Sequence, residues 1–309
     1  MAPPSRPLVL GTRGSPLALA QARMAAAALI AAHGWTEEMV TIRTVKTSGD
    51  RIQDRPLAEV GGKGLWTKEL DQYLLAGETD FSVHSMKDVE SVRPDALHIP
   101  AMLPRADVRD RLVGAGSIAA LSQGAKLGTS SPRRAAQLLR LRPDLNVQPI
   151  RGNVATRLHK VESGEVDATL LAAAGLDRLR IEAGAAIESD TMLPAPAQAA
   201  VGIECRSDDA MTSDLLRAIN HRPTCRAVNA ERAFARATGG SCHSPVAALA
   251  LEQADGRLWL RAELLSSDGQ DHVAGHVFAE AGEETAAAEA LARELLDRAP
   301  PTIRMLFAA

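Results

Sequence analysis

Apolar and polar positions in this chain follow two alternating periods. Leu8 to Gly11 is a short apolar run ending in Gly-Thr, and it predicts a strand. Ser15-Pro16 then opens an Ala-rich stretch over about 16–32, closed by Gly34. Serine caps the free N–H groups of a helix start, and proline at the first helical position has no N–H to lose, so a helix is predicted there. The signature returns at Leu127-Gly128-Thr129-Ser130-Ser131-Pro132, before a predicted helix over 132–141. Each copy continues with a strand (about 40–46, and 146–150) and a second helix (about 64–76, and 153–163). Each second helix runs into Gly-Glu-x-Asp and another apolar strand, from Gly77 in one copy and Gly164 in the other. Strands alternating with helices imply βαβ units and mainly parallel sheets, read here as two similar α/β domains facing one another, the plainer alternative being that βαβ units simply look alike.

The remainder breaks this rhythm. Cys225 to Ala237 reads as a helix, Gly239-Gly240-Ser241 interrupts it, and Asp255-Gly256 and Asp268-Gly269 mark hairpins. An amphipathic helix over about 283–298 precedes Pro300-Pro301. The expected division is therefore 1–103 with 199–221 as domain 1 (α/β), 104–198 as domain 2 (α/β), and 222–309 as a small α+β domain 3.

Composition narrows the function. Aromatic residues are only 3% of the chain, so base stacking is not expected, and a net charge of −3 gives no general attraction to nucleic acid or anionic membrane. No apolar run reaches membrane-spanning length, and the N-terminus lacks the pattern of a secretory signal. Cys205, Cys225 and Cys242 are an odd number without CxxC spacing, which fits a reducing cytoplasm and no disulfide framework. Cys242-His243 has no partner ligands at metal-site spacing, so no metal is expected.

Charge placement is more informative than net charge. Arg13, Lys63, Lys87, Arg133, Arg134, Arg151 and Arg157 all fall where a strand hands over to a helix. A lone arginine there would be a solvated surface charge. Arg133 and Arg134, in a first helical turn, oppose the helix dipole, which makes sense if an anion occupies the site. Seven cations at corresponding strand ends argue for a polyanion cleft.

At this point the motifs become specific. HSMKD from His84, GTSSPRR from Gly128, LRPDL from Leu141, RGNVATRL from Arg151 and VGIECR from Val201 occur in the order seen in hydroxymethylbilane synthases. GTRGSPLALAQ at the start, VGGKGLWTKEL from Val60 and TGGSC before His243 complete a resemblance to that family covering essentially the whole chain. The resemblance implies three domains, the first two similar to periplasmic binding proteins, with the active site between them. It implies a dipyrromethane cofactor held as a thioether at the matching cysteine, Cys242, and a catalytic acid at Asp88. Lys87, Ser130, Ser131, Arg133 and Arg134 match residues that, with Asp88, hold the cofactor. Arg13, Ser15, Gln21, Arg151 and Arg157 match contacts to the substrate, porphobilinogen, and to the growing chain. Gln198 matches a further ligand contact, although the glycines usual on both sides of it are Ala197 and Ala199 here. Trp66 and Ser241 stand where Phe and Gly are usual. The resemblance favours a monomer.

The implied chemistry suits these residue types. Each pyrrole brings an acetate and a propionate, and the planar fork of arginine binds both oxygens of a carboxylate. Loss of ammonia leaves a cation that needs a nearby carboxylate to stabilise it and relay protons. By itself Asp88 could equally be a loop residue capping a helix, and a cysteine such as Cys242 a buried structural one. Cys205 takes that second reading, Cys225 less firmly, and His84 and His243 read as packing or hydrogen-bonding residues. Two alternatives are a two-domain solute-binding or effector-sensing module and an RNA-binding protein. The first leaves Cys242 and Asp88 without purpose, and the second conflicts with the acidic charge and scarce aromatics.

Overall fold

The computed structural model describes residues 4–47, 67–240 and 244–307. Contacts gather the described chain into two compact units, one built on 4–47, 67–106 and 199–225, the other on 107–198 and 226–307.

The first unit follows the predicted rhythm. Strand β1 (Leu8–Arg13) leads into helix α1 (Pro16–His33), then β2 (Val40–Val45), α2 (Lys68–Leu75) and β3 (Phe81–Ser85). Ser15 caps α1, its Oγ accepting from Ala18 N at 3.3 Å, and Gly34 ends the helix in the left-handed conformation with φ 65°. The sheet also takes β4 (Leu97–Met102) and β10 (Val201–Arg206), in the order β2-β1-β3-β10-β4. The first three strands run parallel, whereas β10 is antiparallel to both of its neighbours. The sheet is mainly parallel, as expected, with β10 as its one reversed strand. β10 arrives from distant sequence, so no βαβ crossover dictates its direction.

The second unit repeats the plan. β5 (Asp110–Val113), β6 (Lys126–Gly128), β7 (Asn146–Gln148), β8 (Ala168–Ala172) and β9 (Ala185–Ile187) form a sheet ordered β7-β6-β8-β5-β9. Here β6, β7 and β8 are parallel and β5 is the antiparallel insert. The helices are α3 (Pro132–Leu141), α4 (Val154–Glu162) and α5 (Ala173–Arg178). Ser131 caps α3 and Asn153 caps α4. In both sheets the parallel strands thus deliver their carboxyl ends to helix N-termini, where anions bind.

Helices α6 (Ala210–Arg217) and α7 (Arg222–Ala237) precede the last region. There an antiparallel sheet of β11 (Val246–Glu252), β12 (Leu258–Leu265) and β13 (His272–Ala279) packs with α8 (Glu284–Arg298) and the short α9 (Pro301–Arg304). The described residues hold three separate apolar cores, one for each sheet. Alanine and leucine dominate all three, as the scarcity of aromatics requires, and each fully buried leucine contributes about 1.5–3 kcal/mol.

Candidate functional site

The first unit holds a cleft lined by Arg13, Ser15, Gln21, Thr67, His84, Ser85 and Asp88 among others. Four of the residues singled out by sequence meet there: Arg13, Ser15, Gln21 and Asp88. Arg13 ends β1 and Ser15 begins α1. Asp88 closes a short 3-10 turn, Met86–Asp88, directly after β3, and Lys87 sits in the same turn. Two contacts seat that turn. Met86 N donates to Ala200 O at 3.1 Å, and a Cβ on Gly202 would meet Met86 Sδ at 2.0 Å. Glycine at 202 leaves room for the Met86 side chain against β10.

Gln21 is buried on α1, and its amide brackets one hydroxyl. Its Nε2 donates to Ser85 Oγ at 2.8 Å, and Ser85 Oγ donates to its Oε1 at 3.0 Å. It therefore ties α1 to the corner that carries Asp88.

His84, in the cleft wall, has Nε2 3.1 Å from Glu204 Oε2, and Glu204 is fully buried. Arg93 clasps the same carboxylate through Nε at 2.8 Å and Nη2 at 3.0 Å, while reaching Asp71 at 2.5 Å and Glu90 at 2.9 Å. Burial alone would raise the Glu204 carboxyl, but His84 and Arg93 outweigh it and hold the pKa down to about 2. Burial raises Asp71 despite its bond to Arg93.

The second unit gathers Ser130, Ser131, Arg133 and Arg134 at the carboxyl end of β6 and the start of α3. Ser130 Oγ donates to Ile150 O at 2.5 Å. Ser131 Oγ accepts from Arg134 N at 3.5 Å. Arg133 and Arg134 are buried, and both reach one carboxylate, Asp110, at 2.8 and 2.7 Å. Arg134 Nη1 also donates to Leu170 O at 2.9 Å. This corrects the expectation that an outside anion alone explains two cations in a first helical turn. Asp110, on β5, supplies an internal counter-charge, and with it the pair becomes part of the fold.

Gln198 meets the same carboxylate. Its side chain is buried, and Nε2 donates to Val108 O at 2.7 Å and to Asp110 Oδ1 at 2.9 Å. It holds Asp110 beside the two guanidinium groups. Ala197 and Ala199 both adopt left-handed backbone, with φ 62° and 69°. That conformation explains why glycine suits both places.

Arg151 lies half-buried before α4, and Arg157 in its first turn donates from Nε to Gly152 O at 3.0 Å. Cys242, Lys63, Trp66, Ser241 and His243 lie outside the described residues. Cys205 is buried in β10, and burial pushes its thiol up to about 12, leaving it unreactive. Asp110 and Glu204 were not visible as site residues in the sequence. Each is one acidic residue in or beside an apolar strand, and its partners are distant.

The second cluster fits a carboxylate-bearing group. Two guanidinium groups share one carboxylate, and Arg133 Nε is buried without a partner among the described residues. Burial pulls the Arg133 guanidinium below its ordinary range, Asp110 works against this, and Arg134 adds to it. A buried donor without an acceptor is costly, and a further anion would satisfy it.

Residues 8–214 match the family profile described as porphobilinogen deaminase, dipyromethane cofactor binding domain, and residues 225–298 match porphobilinogen deaminase, C-terminal domain. A porphobilinogen deaminase of Sphingopyxis alaskensis is 59% identical over 314 residues, spanning 100% of this chain and 99% of that protein. One from Paracoccus denitrificans is 50% identical, spanning 97% of each chain. Among solved structures, the methionine binding protein MetQ overlaps 68% of this chain and 88% of that one, at 10% identity and a TM-score of 0.43.

Proposed function

The chain belongs to the porphobilinogen deaminase family, and from that premise we propose how its own residues carry the reaction. It is a transferase, a hydroxymethylbilane synthase. Porphobilinogen molecules are deaminated and condensed head to tail on a dipyrromethane primer, and the linear product is released by hydrolysis. The solute-binding or effector-sensing alternative is not favoured, because the likeness to the enzymes spans the whole chain.

One observation carries the assignment of roles: Asp88 shares a cleft with Arg13 and Ser15. Asp88 offers a fixed negative charge to the cation left on porphobilinogen when ammonia departs. It also accepts and returns the pyrrole N–H proton. Arg13 binds a substrate carboxylate through its fork, with the Ser15 hydroxyl beside it. Gln21, which lines the same cleft, contacts the substrate or growing chain, and its bond to Ser85 fixes the corner that bears Asp88. Arg151 and Arg157 bind carboxylates as the product lengthens.

The dipyrromethane, when bound, supplies the primer that the rings extend. Lys87, Asp88, Ser130, Ser131, Arg133 and Arg134 are the residues that hold it, and Cys242 is the thioether position. A thiol suits that bond because it is soft and nucleophilic. We divide the chain at 103/104, 198/199 and 221/222 into three domains, and place it in the cytoplasm as a monomer with no nucleic-acid or membrane partner. The net charge of −3 supports this setting. No described helix is long and apolar enough to cross a membrane.

Intact mass tests the attachment. The wild type should carry an adduct of two pyrrole units and colour with acid Ehrlich's reagent, and Cys242→Ser should do neither. An adduct that persists in Cys242→Ser, or maps to Cys205 or Cys225, overturns the assignment.

A further inference from the structure

The hairpin joining β12 to β13 is seated on helix α3. Gly269 in its turn has φ +71°, and a Cβ there would lie 2.2 Å from Ala136 O and 2.7 Å from Arg140 N. Both the conformation and the close approach require glycine. One residue beyond Ala136, Gln137 is buried and faces Arg133 and the hairpin at once. Its Oε1 accepts from Arg133 Nη1 at 2.7 Å. Its Nε2 donates to Leu193 O at 2.8 Å and to Glu263 Oε1 on β12. The other oxygen of Glu263 lies 2.9 Å from His272 Nε2 on β13. Burial alone would raise the Glu263 carboxyl, but His272, Gln137 and Arg133 outweigh it and keep it ionised.

An ionised carboxylate and a backbone carbonyl only accept hydrogen bonds, so Glu263 adds to Leu193 O in selecting the NH2 end of Gln137, and does so with a full charge. That leaves the amide oxygen for the guanidinium. If Gln137 turned over, its NH2 would confront Arg133, donor against donor.

We propose that Glu263 is a positioning residue for Arg133: from the C-terminal sheet it fixes the orientation of Gln137, and Gln137 fixes the guanidinium. The proposal rests on the reading that Arg133 holds a carboxylate of the cofactor. It makes the region that bears Cys242 also the region that sets the carboxylate clamp of the second α/β sheet.

The test is cofactor loading. Protein made in cells starved of porphobilinogen is titrated with porphobilinogen, and the loaded fraction is read by intact mass. Arg133→Lys should raise the concentration for half-loading; if it does not, the reading of Arg133 fails. Glu263→Ala should raise it about tenfold. Glu263→Gln, which keeps an acceptor oxygen for Gln137, should recover most of the loss. Added to Arg133→Lys, Glu263→Ala should have little further effect, because both act on one guanidinium. Normal loading in Glu263→Ala while Arg133→Lys is impaired overturns the positioning role. So does full additivity in the double variant, or an equal defect in the Ala and Gln variants that follows their melting temperatures.

Discussion

Arg134 Nη2 lies 2.7 Å from Asp110 Oδ1, and neither side chain is more than 7% exposed. Arg133 reaches the other oxygen of that carboxylate at 2.8 Å, and Gln198 adds a bond at 2.9 Å. Taking a cation out of a first helical turn relieves about 0.3–1 kcal/mol of dipole opposition. Removing one side of a buried ion pair costs about 3–5 kcal/mol when the partner is left uncompensated, as the two guanidinium groups would be without Asp110. Without Arg134 the carboxylate keeps Arg133 and Gln198 but loses its shortest ion pair, and Arg134's bond to Leu170 O goes with it. The second effect wins. Asp110→Asn should therefore lower the stability of the cofactor-free protein by several kcal/mol, and Arg134→Leu should lower it too, by less. Urea unfolding measures both, and a loss below about 1 kcal/mol for each would mean that the cluster is not structural.

Asp88→Asn should leave a folded protein that binds porphobilinogen but releases ammonia slowly. Asparagine keeps the size and an acceptor oxygen but lacks the charge. Removing one preorganised electrostatic contact costs about 3–4 kcal/mol, or some hundred-fold or more in rate. Asp88→Glu, which keeps the charge, should retain more activity. Single-turnover ammonia release on forms whose cofactor loading is matched by mass makes the comparison. Wild-type rates in the Asn variant would remove Asp88 from the mechanism.

Ala199, with φ 69°, holds a conformation that costs a non-glycine residue about 1–2 kcal/mol. Glycine removes that strain but adds about 0.4–1 kcal/mol of unfolded-chain entropy. Ala199→Gly should therefore leave stability unchanged or raise it by up to about 1.6 kcal/mol, whereas β-branched Ala199→Val should be clearly destabilising. Thermal unfolding of the two variants distinguishes this from an unstrained alanine, for which glycine would be the damaging change.

Glu204 gives the protein an acid limit. Its folded pKa of about 2 lies below the ordinary glutamate value, so its stabilisation is present above pH about 4.5 and is lost as pH falls toward 2. The full contribution is on the order of 3 kcal/mol. Asp71, whose pKa is raised, works in the opposite sense, losing stability as pH rises, so the comparison must be between variants. Glu204→Gln should be much less stable than wild type at pH 7, with the gap narrowing as pH falls from 4.5 to 3. Urea midpoints at several pH values would show it, and a gap independent of pH would assign the contribution to another group.

Much of the fold could be read from local signals. Ser15-Pro16 and Ser131-Pro132 start helices because a hydroxyl and a ring missing its N–H act on the turn they belong to. Gly34 ends α1 because only glycine enters the left-handed region without a penalty. The family motifs likewise marked Arg13, Ser15, Gln21 and Asp88, which the fold then gathers in one cleft.

What the sequence determined, then, was where strands and helices begin, which chemistry they carry, and the family to which the chain belongs. Tertiary structure decided which partner each charged group takes. Asp110 meets Arg133 and Arg134 across 23 and 24 residues, Glu204 meets Arg93 across 111, and Gln137 meets Glu263 across 126. β10 enters the first sheet antiparallel after a long excursion through the second. A capping serine or a turn glycine acts within a few residues of itself, so its effect is written locally. A buried charge must find its counter-charge wherever the chain returns, and only the packed fold specifies that place.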